Sequence, residues 1–242
     1  MRIPRIYTSQ TIIPHTDVTL DAQAANHVSS VLRMQTGEHI FLFNGEDGFF
    51  ESTITHVAKK QVTVHIRDHR ASENESPLRV HIGQGLSRGE RMDYAIQKST
   101  EMGVFEITPL FTTRSEVKLD TERSTKRQQH WQQIAISACE QCGRDMIPTI
   151  NTPSALTDFI THIKADLKLV LHHESSSQLR DLPKPTSIAL LIGPEGGLTE
   201  EEIAQAIQHG FIATKLGPRV LRTETAPVTA LSVLNTLWGD II

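Results

Sequence analysis

Ile188-Ala189-Leu190-Leu191-Ile192-Gly193-Pro194-Glu195-Gly196-Gly197-Leu198-Thr199-Glu200-Glu201-Glu202 is the stretch on which the reading of this chain turns. Its opening apolar run has the length of a buried strand and is too short for a helix. The glycine-rich loop that follows leads to Thr199, which with Glu202 forms a capping-box pattern, so a helix is expected from Glu200 to His209. A second string, Leu216-Gly217-Pro218-Arg219-Val220-Leu221-Arg222-Thr223-Glu224-Thr225-Ala226, also follows an apolar run, Phe211 to Leu216, and leads into a helix-like segment. Both are expected as loops at the same edge of one parallel sheet, the edge at which ligands bind.

Working outward, Val80 to Leu86, Ile107 to Phe111 and Leu167 to Leu171 read as strands, and Glu90 to Met102 and Asp120 to Cys142 as helices. Such alternation predicts an α/β domain with a mainly parallel sheet. Val228, Leu231, Leu234, Leu237 and Trp238 give the terminal helix a wide apolar face, suited to the monomer core or to a partner subunit. Upstream, the polar segment Ala71 to Pro77 reads as a linker, which divides the chain into residues 1–72 and 73–242. Before it, Asp21 to Met34 is expected as a helix with Val28, Val31 and Leu32 on one face, ended by Gly37. The strands His39 to Phe43, Gly48 to Val57 and Gln61 to Arg67 follow, joined by turns at 44–48 and 58–60, and suggest a small β-barrel of a kind often used to hold RNA. Phe41, Phe43, Phe49 and Phe50 belong to the barrel core or stack bases.

At 242 residues, 38% apolar and 21% charged, the composition is that of a soluble globular protein, and no apolar run approaches membrane-helix length. The N-terminus lacks an apolar core of signal-peptide length, so a cytoplasmic location is expected. The two cysteines, Cys139 and Cys142, are too few for a disulfide framework and lack the second pair of a zinc site; no metal is expected. The net charge of -4 argues against a generally basic surface, yet the segment through residue 72 is balanced and holds six of the twelve histidines. RNA binding there is permitted.

Gly193, Gly196 and Gly197 let the backbone approach a ligand closely, but their spacing fits neither the phosphate loop of nucleotide hydrolases nor the dinucleotide fingerprint. A plain strand-to-helix turn also satisfies them. In the second string, Arg222, Thr223, Glu224 and Thr225 bring a guanidinium, hydroxyls and a carboxylate together. A helix start with Thr223 or Thr225 as cap accounts for the threonines and the glutamate, but not for Arg222, whose charge is unfavourable there.

Gly193 to Gly197 with Leu221 to Ala226 resembles the bacterial small-subunit rRNA uracil-N3 methyltransferases of the knotted SPOUT superfamily. The resemblance continues through His27-Val28-Ser29-Ser30-Val31-Leu32-Arg33, Lys98 to Val104, and Glu140-Gln141-Cys142-Gly143-Arg144 with Pro148, in order along nearly the whole chain. It implies a PUA-like or OB-like barrel followed by an α/β domain whose end forms a deep trefoil knot, a homodimer, and S-adenosylmethionine as methyl donor. It further implies N3 methylation of a uridine of 16S rRNA in the 30S subunit, U1498 of the decoding region.

Carried over by position, the cofactor sits among Leu171 and His172, the loop Gly193, Pro194, Glu195 and Gly196, and the segment Leu216, Gly217, Leu221 and Thr223. The tandem His172-His173 and Pro218, which lacks a backbone donor, depart from the usual pattern. Arg222 would stabilise negative charge on a uracil oxygen, and Glu224 would orient the base or accept the N3 proton. Glu140 and Arg144, one helical turn apart, would assist, or else form a surface i,i+4 pair. Arg2, Arg5, His27, Arg33, Arg88 and Arg91 are the candidates for RNA contact. Two alternatives stand beside this reading: a ribose 2'-O-methyltransferase of the same superfamily, and a non-catalytic RNA-binding or assembly protein.

Overall fold

The computed structural model describes residues 3–46, 48–58, 61–117, 120–175 and 179–242. The chain forms two compact units, Met1–Glu75 with Ile136–Ile147, and Ser76–Ala135 with Pro148–Ile242. The first therefore recruits a later segment in addition to the N-terminal stretch.

In the first unit β3 (His39–Phe43), β4 (Phe49–Ala58) and β5 (Gln61–Arg70) form an antiparallel meander. Short strands flank it: β1 (Arg5–Tyr7) runs parallel to β3, and β2 (Asp17–Thr19) antiparallel to β5. Among the described residues no pairing joins β1 to β2, so the expected barrel is an open sheet. The alternation in β5 has its expected effect, with Val62, Val64 and Ile66 wholly buried beside Ile6, Ile40, Leu42 and Ile54. Each such side chain contributes about 1.5–3 kcal/mol of burial. Phe43 is core, while Phe41 and Phe49 pack together with ring centroids 4.7 Å apart. The turn residues Asp47, Lys59 and Lys60 lie outside the described residues.

The helix expected from Asp21 to Met34 is interrupted. Asp21 caps α1 (Ala22–Asn26) by accepting from the backbone N–H groups of Gln23 and Ala24, but a π-helical turn, His27–Val31, follows. The wider turn puts one more residue into the circuit, marked by the Leu32 N–H to His27 carbonyl bond of 2.9 Å. Val28 stays buried, whereas Val31 and Leu32 rotate off the core face to 64% and 39% exposure. Arg33 then takes a left-handed φ of 56°.

The second unit has a wholly parallel sheet. In chain order its elements are β6 (Arg79–Gly85), α2 (Glu90–Glu101), β7 (Glu106–Phe111), α3 (Thr121–Cys142, of which the part to Ala135 belongs here), β8 (Thr149–Ile150), β9 (Ser154–Ala155) and α4 (Leu156–His162). Then come β10 (Leu167–Leu171), β11 (Ser187–Ile192), α5 (Glu200–Gln208), β12 (Ile212–Thr214) and α6 (Thr225–Trp238). The strand order is β12-β10-β11-β6-β7-β8, with β9 also on β7. Leu231, Leu234 and Trp238 of α6 are buried, Val228 and Leu237 half-buried. Asn235, 1% exposed, accepts from the Ser76 hydroxyl at 2.8 Å and donates to the Met102 carbonyl at 2.9 Å, which fixes α6 to the end of α2. Because the strands are parallel, the segments leaving β6, β10, β11 and β12 gather at one sheet edge. Among the described residues no helix is long and apolar enough to cross a membrane.

Candidate active site

At that edge lies a cavity of about 580 Å³. Leu171 and His172 line it from the end of β10, and Gly193, Pro194, Glu195 and Gly196 from the loop after β11. Leu216, Gly217, Leu221 and Thr223 complete the circle after β12, and Arg222 and Glu224 share the same wall. Close backbone approach explains the glycines that matter most. A Cβ on Gly85 would stand 2.4 Å from the Pro194 nitrogen, and one on Gly193 would stand 2.8 Å from the Leu198 nitrogen. The end of β6 can therefore meet the loop after β11 only without a side chain at Gly85, and that loop can close on itself only without one at Gly193.

The glycine loop is held from both sides. The Glu195 carboxylate accepts from the Arg88 backbone N–H at 3.0 Å and from Arg91 Nη1 at 2.9 Å. Burial alone would raise its pKa, but these hydrogen bonds and the Arg91 charge together hold it below the usual glutamate value. Opposite, Arg114 Nη1 donates to the carbonyls of Gly196 and Leu198 at 3.0 and 3.3 Å. Its neighbour Thr113 donates backbone N–H and hydroxyl to Glu202 Oε1, at 2.7 and 3.0 Å. The other Glu202 oxygen accepts from Thr199 N–H at 2.8 Å, completing the capping box that the sequence foreshadows. Arg114 was not reached from sequence, because an arginine after a strand carries no periodic signal of its target.

Thr223 joins the two strings. Its hydroxyl donates to the Gly193 carbonyl at 2.8 Å and accepts from Gln84 Nε2 at 3.0 Å, with Ser87 Oγ 3.3 Å away. It does not cap a helix. Glu224 occupies the N-cap position of α6 without a side-chain cap bond, and the Arg222 carbonyl receives the first helical N–H groups. Glu224 Oε2 and the Thr214 hydroxyl, both in cavity-lining residues, are buried without a partner among the described residues. Orphaned buried polar atoms at a cavity wall are groups a ligand would satisfy. Thr214, too, was missed, since a lone threonine ending a short edge strand has no distinguishing pattern.

An RNA methyltransferase domain family matches residues 74–235, and an RNA methyltransferase PUA domain matches residues 20–67. The chain is 36% identical over 242 residues to ribosomal RNA small subunit methyltransferase E of Buchnera aphidicola subsp. Schizaphis graminum, covering 99% of this chain and 98% of that protein. It belongs to that methyltransferase E family. A solved Legionella pneumophila structure, a putative methyltransferase in complex with the cofactor SAM, is 48% identical with a TM-score of 0.96, each chain covered 100%. The Neisseria gonorrhoeae ribosomal RNA small subunit methyltransferase E, bound to S-adenosyl methionine, is 36% identical with a TM-score of 0.94, again with 100% of each chain covered.

For a methyltransferase E chain the cavity has suitable chemistry. Leu171, Ile192, Leu198, Leu216 and Leu221 offer apolar cover for a flat ring, backbone groups of three loops converge, and Arg114, Lys215 and Glu200 offer both signs of charge. The remaining sequence candidates lie elsewhere or are already engaged. Glu140 and Arg144 belong to the first unit, and α3 ends at Cys142, so they do not form an i,i+4 helical pair. Glu140 Oε1 accepts from the Tyr7 N–H at 3.0 Å and lies 3.5 Å from His27 Nδ1. Arg144 is 7% exposed, not a surface residue, and Arg144 Nη2 meets Glu75 Oε2 at 2.7 Å.

Of the RNA candidates, Arg2 lies outside the described residues. Arg5 is withdrawn from the surface, paired with buried Asp145 and set 4.5 Å from the Phe49 ring centroid. His27 is tied to Glu140, which raises its pKa chiefly through their hydrogen bond. Arg88 pairs with Glu116 and Arg91 with Glu195, while Arg33 is exposed. Cys139 is buried, and burial pushes its thiol up to about 12, the behaviour of a packing residue.

Proposed function

We propose that this protein transfers the methyl group of S-adenosylmethionine to N3 of a uridine in 16S rRNA of the 30S subunit, U1498 of the decoding region. In this reading it acts in the cytoplasm as a homodimer with a C-terminal trefoil knot. The observation that carries the proposal is the meeting of Gly193 to Leu198 with Leu216 to Glu224 around one cavity whose wall holds a carboxylate oxygen, Glu224 Oε2, without a partner among the described residues. The SAM-bound relatives at TM-scores of 0.96 and 0.94 support the cofactor. The Thr223 to Gly193 bond and the packing of α6 against α2 support a chain end turned back through its own domain.

S-adenosylmethionine supplies an electrophilic methyl group when bound. The chain's task is to hold the adenosine with the Leu171 to His172, Gly193 to Gly196 and Leu216 to Leu221 segments, and to present the base to Arg222 and Glu224. Uracil N3 must lose its proton to become a good nucleophile, and Glu224 is the acceptor. Arg222, exposed at the mouth, stabilises the negative charge that spreads to the uracil oxygens. Glu140 and Arg144 have structural partners, so the chemistry is assigned to Arg222 and Glu224.

Nucleoside mass spectrometry of RNA treated with the purified protein tests the assignment. The expected product is N3-methyluridine, formed at least about a hundredfold more slowly by Arg222→Ala, as for loss of an oxyanion-stabilising donor. A ribose-methylated nucleoside would transfer the protein to the 2'-O class. Absence of both products and of cofactor binding would leave a pure RNA-binding role.

A further inference from the structure

The cavity carries five arginine and lysine side chains, and they are not equivalent. Arg91 is neutralised by Glu195 at 2.9 Å, and Arg114 is committed to two carbonyls of the glycine loop. Lys215, Arg219 and Arg222 are exposed and have no ion-pair partner among the described residues. All three fall in the segment of eight residues that forms one lip. Between Arg219 and Arg222 stands Val220, 80% exposed, while the next residue, Leu221, is half-buried in the wall. Every other apolar side chain that lines the cavity, Leu216 and Leu221 beside it included, is half or wholly buried.

The proposed reaction makes a demand on this lip. Uracil N3 lies in the middle of the Watson–Crick edge, so a uridine paired within a helix cannot present it to a cavity wall. The nucleotide must be turned out, and its unstacking and unpairing have a free-energy cost. An apolar side chain inserted where the base was offsets part of that cost, and cations on either side hold the displaced backbone.

We infer that Val220 is the wedge that takes the place of the extruded uridine in the RNA stack, with Lys215 and Arg219 gripping the phosphates beside it. This rests on the base-methylation reading above, which uses the Leu216 to Leu221 segment for the adenosine, and adds a role for the exposed side chains of Arg219 and Val220 and for Lys215 before them. Val220 is a positioning residue. It acts on the neighbouring bases and leaves the reacting atoms to Arg222 and Glu224.

The test compares a hairpin RNA carrying the target uridine in its stem with an unstructured oligonucleotide of the same flanking sequence. Val220→Ser should keep the wild-type melting temperature, since the side chain is mostly solvated. Its kcat/KM should fall about tenfold or more further on the hairpin than on the oligonucleotide, because only the hairpin requires unstacking. Val220→Leu should restore the hairpin rate. A 2-aminopurine placed beside the uridine should brighten when wild-type protein binds the hairpin and stay quenched with Val220→Ser. Lys215→Ala and Arg219→Ala should raise KM for RNA more than they lower kcat, each flattening the salt dependence by about one counterion.

Equal losses of Val220→Ser on both RNAs, an undiminished fluorescence rise, or a changed assembly state would each overturn the wedge. If wild-type protein methylates and Val220→Ser is indistinguishable from it, only this inference falls. If wild-type protein methylates neither these RNAs nor 16S rRNA within the 30S subunit, the base-methylation reading falls and the wedge with it.

Discussion

Replacing Thr223 with valine keeps the side-chain shape and removes the hydroxyl that ties the two cavity loops together. Thr223 is 7% exposed, and its hydroxyl donates to the Gly193 carbonyl at 2.8 Å and accepts from Gln84 Nε2 at 3.0 Å. In Thr223→Val the Gly193 carbonyl loses this donor, and Gln84 keeps only its longer bond to the Gly85 carbonyl, 3.3 Å. One buried acceptor and part of one buried donor are orphaned, which costs about 1–3 kcal/mol. For a chain of this size that corresponds to a melting temperature lowered by about 2–12 °C. Because the bond fixes the glycine loop relative to Arg222 and Glu224, the same energy couples into ligand affinity, where it is worth about 5- to 150-fold. Thermal melting and calorimetry with S-adenosylmethionine read the two effects separately. Thr223→Ser retains the hydroxyl and should bind close to wild type after a small packing loss. A Thr223→Val protein that melts and binds like wild type would refute the idea that this hydroxyl joins the loops.

Gly85→Ala places a Cβ 2.4 Å from the Pro194 nitrogen, where backbone must move; the protein should lose S-adenosylmethionine affinity by at least about tenfold, a loop displacement worth some 1.4 kcal/mol, as read by calorimetry. Arg33 holds a φ of 56°, so Arg33→Gly should be neutral or up to about 1 kcal/mol more stable in denaturant titration while binding RNA less tightly. His27 has its folded pKa raised by the Glu140 hydrogen bond, so the pair's stabilisation is complete below the unfolded value near 6.5 and disappears as pH rises through the higher folded value. Melting curves should therefore show His27→Gln losing most relative to wild type at acidic pH, with the gap closing toward pH 8.

The elements readable from sequence were those whose pattern is local. Leu167–Leu171 and His39–Phe43 fall where their apolar runs put them, and α5 starts at Glu200 because Thr199 and Glu202 complete the capping box. Elements defined by a partner were lost. The strand β1 has three residues and exists because it lies parallel to β3, and β8 and β9 are two-residue additions to β7. The π-helical turn defeated the 3.6-residue reading in the same way, since nothing in His27 to Val31 announces a change of period. The tail of α3 is subtler: its sequence is one uninterrupted helix, while Ile136–Ile147 belongs to the first unit.

The candidate site follows the same division. Glycines that allow backbone contact, such as Gly193, mark themselves by type and spacing, and the two strings around them were found together. The polar residues that set the loops against each other did not, because Gln84, Thr113 and Arg114 are ordinary in sequence and specific only in what they touch. Charge shows the point most clearly. Arg5, Arg88 and Arg91 are formally as cationic as Lys215 and Arg219, but the first three are matched by Asp145, Glu116 and Glu195. A cation already paired must give up that partner to meet a phosphate, whereas a free one exchanges only water and counterions. The residues best placed to grip RNA at the cavity are therefore distinguished by the acids they lack as neighbours, a property that exists only once the chain has folded.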